Sequence, residues 1–196
     1  MIVAALNQQV WWYASRSSGI IAWVLITLSI MWGLFLSTRV LGNNPAPAWL
    51  LDLHRYLGGL AVAFTAIHLI GLVADSYVHF GWAEIFVPMA SSWQPGAVAW
   101  GIVAFYVLVA IELTSLMMRR LSRRLWRLVH HLSWILFVFA TVHGLTAGTD
   151  VQNPLYRWTA LASVQGVFFL TIVRILAQRK ARRRAKPSPR VAVRVG

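Results

Sequence analysis

Long apolar runs alternate with short polar connections along the whole chain. Five runs stand out, at about 19–38, 55–74, 97–118, 129–147 and 157–175. Each approaches the ~20 residues that an α-helix needs to cross ~30 Å of hydrocarbon. The pattern predicts an all-α integral membrane bundle of five transmembrane helices. The intervening stretches are "RVLGNNPAPAWLLDLHR", "DSYVHFGWAEIFVPMASSWQPG", "RRLSRRLWR" and "AGTDVQNPLYR". Asn, Pro and Gly punctuate the first, second and fourth as they do in loops. The second holds an apolar stretch too short to span, expected to lie in the membrane interface and cap one end of the bundle. There is no internal repeat. Residues 1–178 form one predicted membrane domain, and 179–196, basic and proline-containing, a predicted disordered tail.

Charge gives the bundle an orientation. Of the 18 Lys and Arg residues, 16 fall in the first connection, the third connection or the C-terminal region from Arg174 on. Only Arg16 and Arg157 fall on the other side. The positive-inside rule then places the N-terminus outside and the C-terminus in the cytoplasm. Trp11, Trp12, Trp49, Trp82, Trp93, Trp126 and Trp158, near the predicted ends, fit an interfacial belt.

Composition removes several function classes. The chain is 59% hydrophobic and only 12% charged, where a soluble domain carries about 25% charged residues. A net charge of +13 would suit nucleic acid, but the arginines flank apolar runs, as orientation signals and lipid contacts do. No nucleic-acid partner is expected; the lipid bilayer is. Without cysteine there can be no disulfide, no cysteine-ligated cluster and no thioether-linked haem. The N-terminus lacks the basic region and cleavage site of a secretory signal and is read as mature protein.

Histidine changes the picture most. Of six histidines, five lie in or near the second and fourth runs. His54 and His68 are 14 residues apart, about 40° short of four whole turns, so they share one helix face ~21 Å apart. The stripe between them, Gly58, Ala61 and Thr65, is small throughout. It suits a helix-packing groove or a flat cofactor. In the fourth run His130 and His131 precede His143 by 13 and 12 residues. Axial rise favours His130 slightly, but these pairs stand about 140° and 120° apart on the wheel, so tilt or local distortion is required. The second and fourth runs cross in the same direction. His54 therefore meets His130 near the inner surface, and His68 meets His143 near the outer one. Two such layers are what two bis-histidine haems need. Interhelical hydrogen bonding and a proton relay are the competing readings. Zinc is disfavoured, because neither layer supplies three or four ligands. Thr65, Thr141 and Ser133 are candidate partners for the second imidazole nitrogens.

The stretches "LHRYLGGLAVAFTAIH", "LWRLVHHLSWILFVFATVHG" and "SRSSG" resemble the ferric reductase-like transmembrane domain, over roughly residues 15–175. That family includes the membrane parts of NADPH oxidases and ferric reductases, and the haem subunit of the bacterial methionine sulfoxide reductase system. The resemblance implies two haem b groups, with His54, His68, His130 and His143 as iron ligands and His131 as the alternate to His130. It also implies that Arg16 lies near the propionates of the outer haem. Arg55 and Arg127 are candidates for the inner propionates.

The function expected from all this is transmembrane electron transfer, as an oxidoreductase component. The donor would be a cytoplasmic-side flavoprotein reductase or quinol, and the acceptor extracytoplasmic. No GxGxxG loop is present, so flavin and NAD(P)H chemistry would belong to a partner. The expected location is the cell membrane, as a multi-pass protein of a bacterial inner or plasma membrane. The alternatives are the haem subunit of a periplasmic reductase and, in another class, a non-redox structural or transport protein with interhelical histidines. Glu112, inside the third run, is expected to pair with Arg55 or Arg120. His79 and Glu84 belong to a solvated loop.

Overall fold

A computed structural model describes residues 2–38, 48–75 and 80–184. Arg39, His79 and the tail beyond 184 lie outside the described residues. The described residues are all-α and form seven helices: α1 (Ile2–Thr38), α2 (Ala48–Ala74), α3 (Trp82–Phe86), α4 (Pro95–Leu116), α5 (Arg123–His131), α6 (Ser133–Ala147) and α7 (Pro154–Arg184). Five spans are long and apolar enough to cross a membrane: Gln9–Thr38, Ala48–Ala74, Pro95–Leu116, Arg123–Ala147 and Pro154–Ala181.

Two sequence-adjacent pairs pack most extensively, and α1 is the element that the others share. α1 lies along α2, α4 along α6, and α1 also meets α6 and α7. The shared core is apolar and mostly aliphatic: Ile26, Ile30 and Leu34 from α1, Ala61 from α2, Leu108 and Ile111 from α4, Leu136 and Phe137 from α6, Val167 from α7. Many large apolar side chains face outward instead, among them Leu28, Ile70, Leu155, Phe168 and Phe169. In water such a surface would drive association. In hydrocarbon it is the expected exterior, because lipid is as apolar as the side chains themselves.

One end of the bundle carries Arg16, the last turn of α2, α3 and the α6–α7 connection; it is called the Arg16 end below. The other carries the arginines around α5 and the C-terminal part of α7, and is called the basic end. At the Arg16 end α3 is pinned on both sides. The Gly81 amide donates to Glu84 Oε2 at 2.9 Å, and the Tyr106 hydroxyl donates to the Phe86 carbonyl. Phe80, Val98 and Ile102 form a small apolar cluster there.

Three boundaries differ from the sequence expectation. α1 begins well before residue 19, so Arg16 lies inside a helix rather than at its start. The arginine-rich stretch 123–131 is helical, started by Ser122, whose side chain accepts from the Leu125 amide at 3.2 Å. α7 runs on to Arg184, six residues past the predicted domain boundary. The fourth span is also broken once, at Leu132.

Candidate functional site

The break at Leu132 decides which histidines meet. Its amide bonds the Val129 carbonyl at 2.9 Å, an i→i−3 contact that winds the chain more tightly than an α-helix. Tighter winding turns His130 toward the phase of His143, reducing the mismatch that a regular helix would impose. The ring of His130 then lies 6.0 Å from that of His54, centroid to centroid, with planes 76° apart. At the Arg16 end His68 and His143 stand 6.4 Å apart at 73°. His131 joins neither pair. It is exposed, and its Nδ1 donates to the Arg127 carbonyl on its own helix.

Three of the four paired rings have one nitrogen committed to a backbone carbonyl. His68 Nδ1 donates to Ser15 at 2.7 Å, His54 Nδ1 to Ser29 at 3.0 Å, and His143 Nδ1 to Ala97 at 2.8 Å. A carbonyl only accepts, so in each ring the hydrogen sits on Nδ1 and the lone pair on Nε2. The predicted hydroxyl partners are otherwise engaged. Thr65 bonds the Ala61 carbonyl, Thr141 accepts from Trp23 Nε1 at 3.0 Å, and Ser133 bonds no histidine. The Ser29 hydroxyl, 3.2 Å from His54 Nδ1, adds a side-chain contact. His130 is the exception. Its Nδ1 is buried without a partner among the described residues, as is the neighbouring Trp126 Nε1. The two rings stack at 5.1 Å and 21°.

A cavity of about 290 Å³ is lined by His68 and His143, with Thr65, Phe80 and Ile85 also in its wall. Gly58 and Ala61, the other members of the small-residue stripe, lie outside this cavity. Ala61 is packed in the core, and Gly58 lies against the Glu112 carboxylate. The side-chain hydrogen bonds of the two candidate propionate arginines go elsewhere than to the paired histidines. Arg55 reaches Asp52 at 3.4 Å in a solvent-exposed pair, and Arg127 is exposed, its Nε on the Arg123 carbonyl. Glu112 pairs with neither Arg55 nor Arg120, contrary to expectation. Arg55 is held by the acid three residues before it on the same helix.

Arg16 lines the cavity mouth. Its guanidinium sits 4.4 Å over the Trp12 ring and grips Asp150 through two hydrogen bonds, one of them Nε to Oδ2 at 2.6 Å. Nothing in the local sequence around Asp150 announces this fork; the available signal was that Asp150 is one of only five acids in the chain. The hydrogen bond from Arg16 holds the Asp150 carboxyl below the usual carboxylate range. A carboxyl depressed by folding stabilises the folded state above its unfolded pKa and loses that contribution as pH falls through the depressed value. The difference in thermal stability between wild type and Asp150→Asn should therefore hold constant from pH 8 to pH 5. It should shrink only below about pH 4. A difference that already fades between pH 7 and pH 5 would contradict the assignment.

Among the described residues, no cluster of three or more metal-ligating side chains is present; the imidazoles meet in twos. Five apolar spans around two facing histidine pairs define a multi-pass membrane protein whose interior offers paired nitrogen donors at two depths. The family model of the ferric reductase like transmembrane component matches residues 18–142, and the chain belongs to that family. It is thus a membrane electron-transfer component, of a family that typically binds haem. The matched span includes His54, His68 and His130 and stops one residue short of His143. No curated protein and no solved structure matches the chain.

Proposed function

We propose that the chain holds two b-type haems, one between His54 and His130 and one between His68 and His143, and carries electrons from a donor at the basic end to an acceptor at the Arg16 end. The observation that carries this reading is the ring separation. A metal–imidazole bond of ~2.0 Å, plus ~1.1 Å from nitrogen to ring centre, on both sides of one metal gives ~6.3 Å between centroids. The two pairs stand at 6.0 and 6.4 Å. Both pairs stand close to that one coordination distance, and in three of the four rings Nδ1 is already committed to a carbonyl, which leaves Nε2 for a metal.

Bound haem iron supplies one-electron chemistry and nothing else is asked of it. The protein's part is to present the donors. Carbonyls on α1 and α4 hold three imidazoles in the tautomer whose Nε2 can bind metal. Each pair would hold a haem iron through two imidazoles, an arrangement that would suit electron transfer rather than substrate binding. Arg16 places a cation at the mouth of the His68–His143 cavity, suited to a carboxylate such as a propionate, and Asp150 and Trp12 hold it there. Histidines of both pairs come from α2 and the α5–α6 span, so one helix pair sets the spacing of the whole path.

The positive-inside rule puts the basic end in the cytoplasm and the Arg16 end outside a bacterial inner or plasma membrane. The donor is then a flavoprotein reductase or a quinol on the cytoplasmic side, any flavin coming with that partner, and the acceptor is extracytoplasmic. The test is the absorption spectrum of chain purified after haem-replete expression, with haem assayed per chain. Reducible b-type bands at two haems per chain are expected. Their absence overturns the proposal.

A further inference from the structure

Three of the four paired histidines are seated in the same way, and the seat is visible in the sequence of the helix behind each one. The accepting carbonyls belong to Ser15, Ser29 and Ala97. Four residues after each stands a glycine: Gly19, Gly33 and Gly101. In an α-helix the carbonyl of residue i accepts from the amide of residue i+4. Histidine and glycine therefore converge on the same oxygen, and the imidazole edge lies where the glycine's side chain would be. A Cβ at Gly19 would stand 2.9 Å from His68 Nδ1. One at Gly101 would stand 2.8 Å from His143 Nδ1, and one at Gly33 would stand 3.2 Å from His54 Cε1. A methyl cannot occupy the first two positions unless the ring retreats. A retreating ring gives up the carbonyl and swings Nε2 out of line with the opposite histidine.

We infer that Gly19, Gly33 and Gly101 are positioning residues for the metal-binding histidines, an inference that rests on the di-haem reading above. They act through the imidazoles and touch no haem themselves. The arrangement is unequal between the pairs. His68 and His143 each have such a seat; of the other pair only His54 does, since His130 rests against Trp126 with its Nδ1 unbonded. Gly33 also has the loosest contact of the three. Substitution should accordingly weigh most on the His68–His143 site.

The experiment uses the full chain, with Gly19→Ala, Gly101→Ala and Gly33→Ala set against Gly59→Ala and Gly96→Ala. At the last two positions a Cβ meets nothing within 4 Å, so they report the general cost of the substitution. Haem per chain and the low-spin electron paramagnetic resonance signal are read for each. Gly19→Ala and Gly101→Ala are expected to drop from two haems to about one. Gly33→Ala is expected to keep two, with one low-spin signal shifted. The controls should match wild type. If Gly19→Ala and Gly101→Ala retain two haems with wild-type signals, the seating is wrong even though the di-haem reading stands. If wild type itself carries no b-type haem, both fall.

Misfolding is separated from loss of seating by adding imidazole to His143→Gly and to the double variant Gly101→Ala, His143→Gly. Free imidazole is not tied to a backbone and can settle a few tenths of an ångström away. Recovery of the low-spin signal in both supports the seating. Recovery in His143→Gly alone means that Gly101→Ala damages the fold, and overturns it.

Discussion

The double variant His68→Ala, His143→Ala should bind half the haem of wild type and keep the other half unchanged. Both rings of one pair are removed together, so no single imidazole is left facing an empty place. The truncation is also gentle on the backbone. The carbonyls of Ser15 and Ala97 lose a histidine hydrogen bond but still accept from the amides of Gly19 and Gly101, so no buried oxygen is orphaned. His54 lies 14 residues from His68 on one helix, ~21 Å away, well beyond the ~7–10 Å over which side-chain substitutions usually couple. The second pair should therefore keep its low-spin signal. The measurement is haem per chain with the spectrum of what remains. Two haems retained would mean that other residues bind the metal; none retained would mean that the two sites are not independent.

A larger effect on folding is expected from Gly71→Ala. Gly71 is buried on α2, and a Cβ there would stand 2.9 Å from the Cα, Cβ and amide nitrogen of Ser15 on α1. A flexible side chain could move aside, but the backbone of a packed helix cannot. Glycine is needed here because α1 and α2 cross at contact distance, the close approach that small residues permit between membrane helices. Adding the methyl must part them, with an overpacking cost of ~1–3 kcal/mol. It also carries the Ser15 carbonyl away from His68, whose hydrogen bond to it is 2.7 Å. The variant should melt at a lower temperature than wild type and lose the His68–His143 haem first. Gly59→Ala, on the same helix but with open space around it, is the comparison. Equal melting of the two variants would show that the α1–α2 crossing tolerates separation.

The spans were legible because a bilayer demands long apolar runs, and the residues that end them are arginines, prolines and glycines. The pairing of His54 with the fourth span, and of His68 with His143, followed from spacing on helices that run the same way. The choice between His130 and His131 did not follow, because it turns on one tightened turn at Leu132, and no residue type there announces it. The expected partners of the imidazole nitrogens are a carbonyl or a hydroxyl; three prove to be backbone carbonyls, and the named hydroxyls of Thr65, Thr141 and Ser133 are not among them. A carbonyl has no letter in the sequence; its only trace is a glycine four residues later. Asp150 was missed because its partner lies 134 residues away and nothing local marks the pair. Glu112 is expected to pair with an arginine because it lies near the end of its run where the basic residues gather, whereas Arg55 reaches Asp52 on its own helix.

That same 134-residue reach between Arg16 and Asp150 imposes an order on biosynthesis. At ~5–20 residues per second, the interval between making the two is roughly 7–27 s. For the part of it that follows completion of α2, the first two spans are present while the clasp at the mouth of the His68 cavity still has no second half. His143 is itself synthesised only shortly before Asp150. The His68–His143 site, seated in part by Ser15 early in α1, is thus completed late, and its mouth is clasped only as α7 follows.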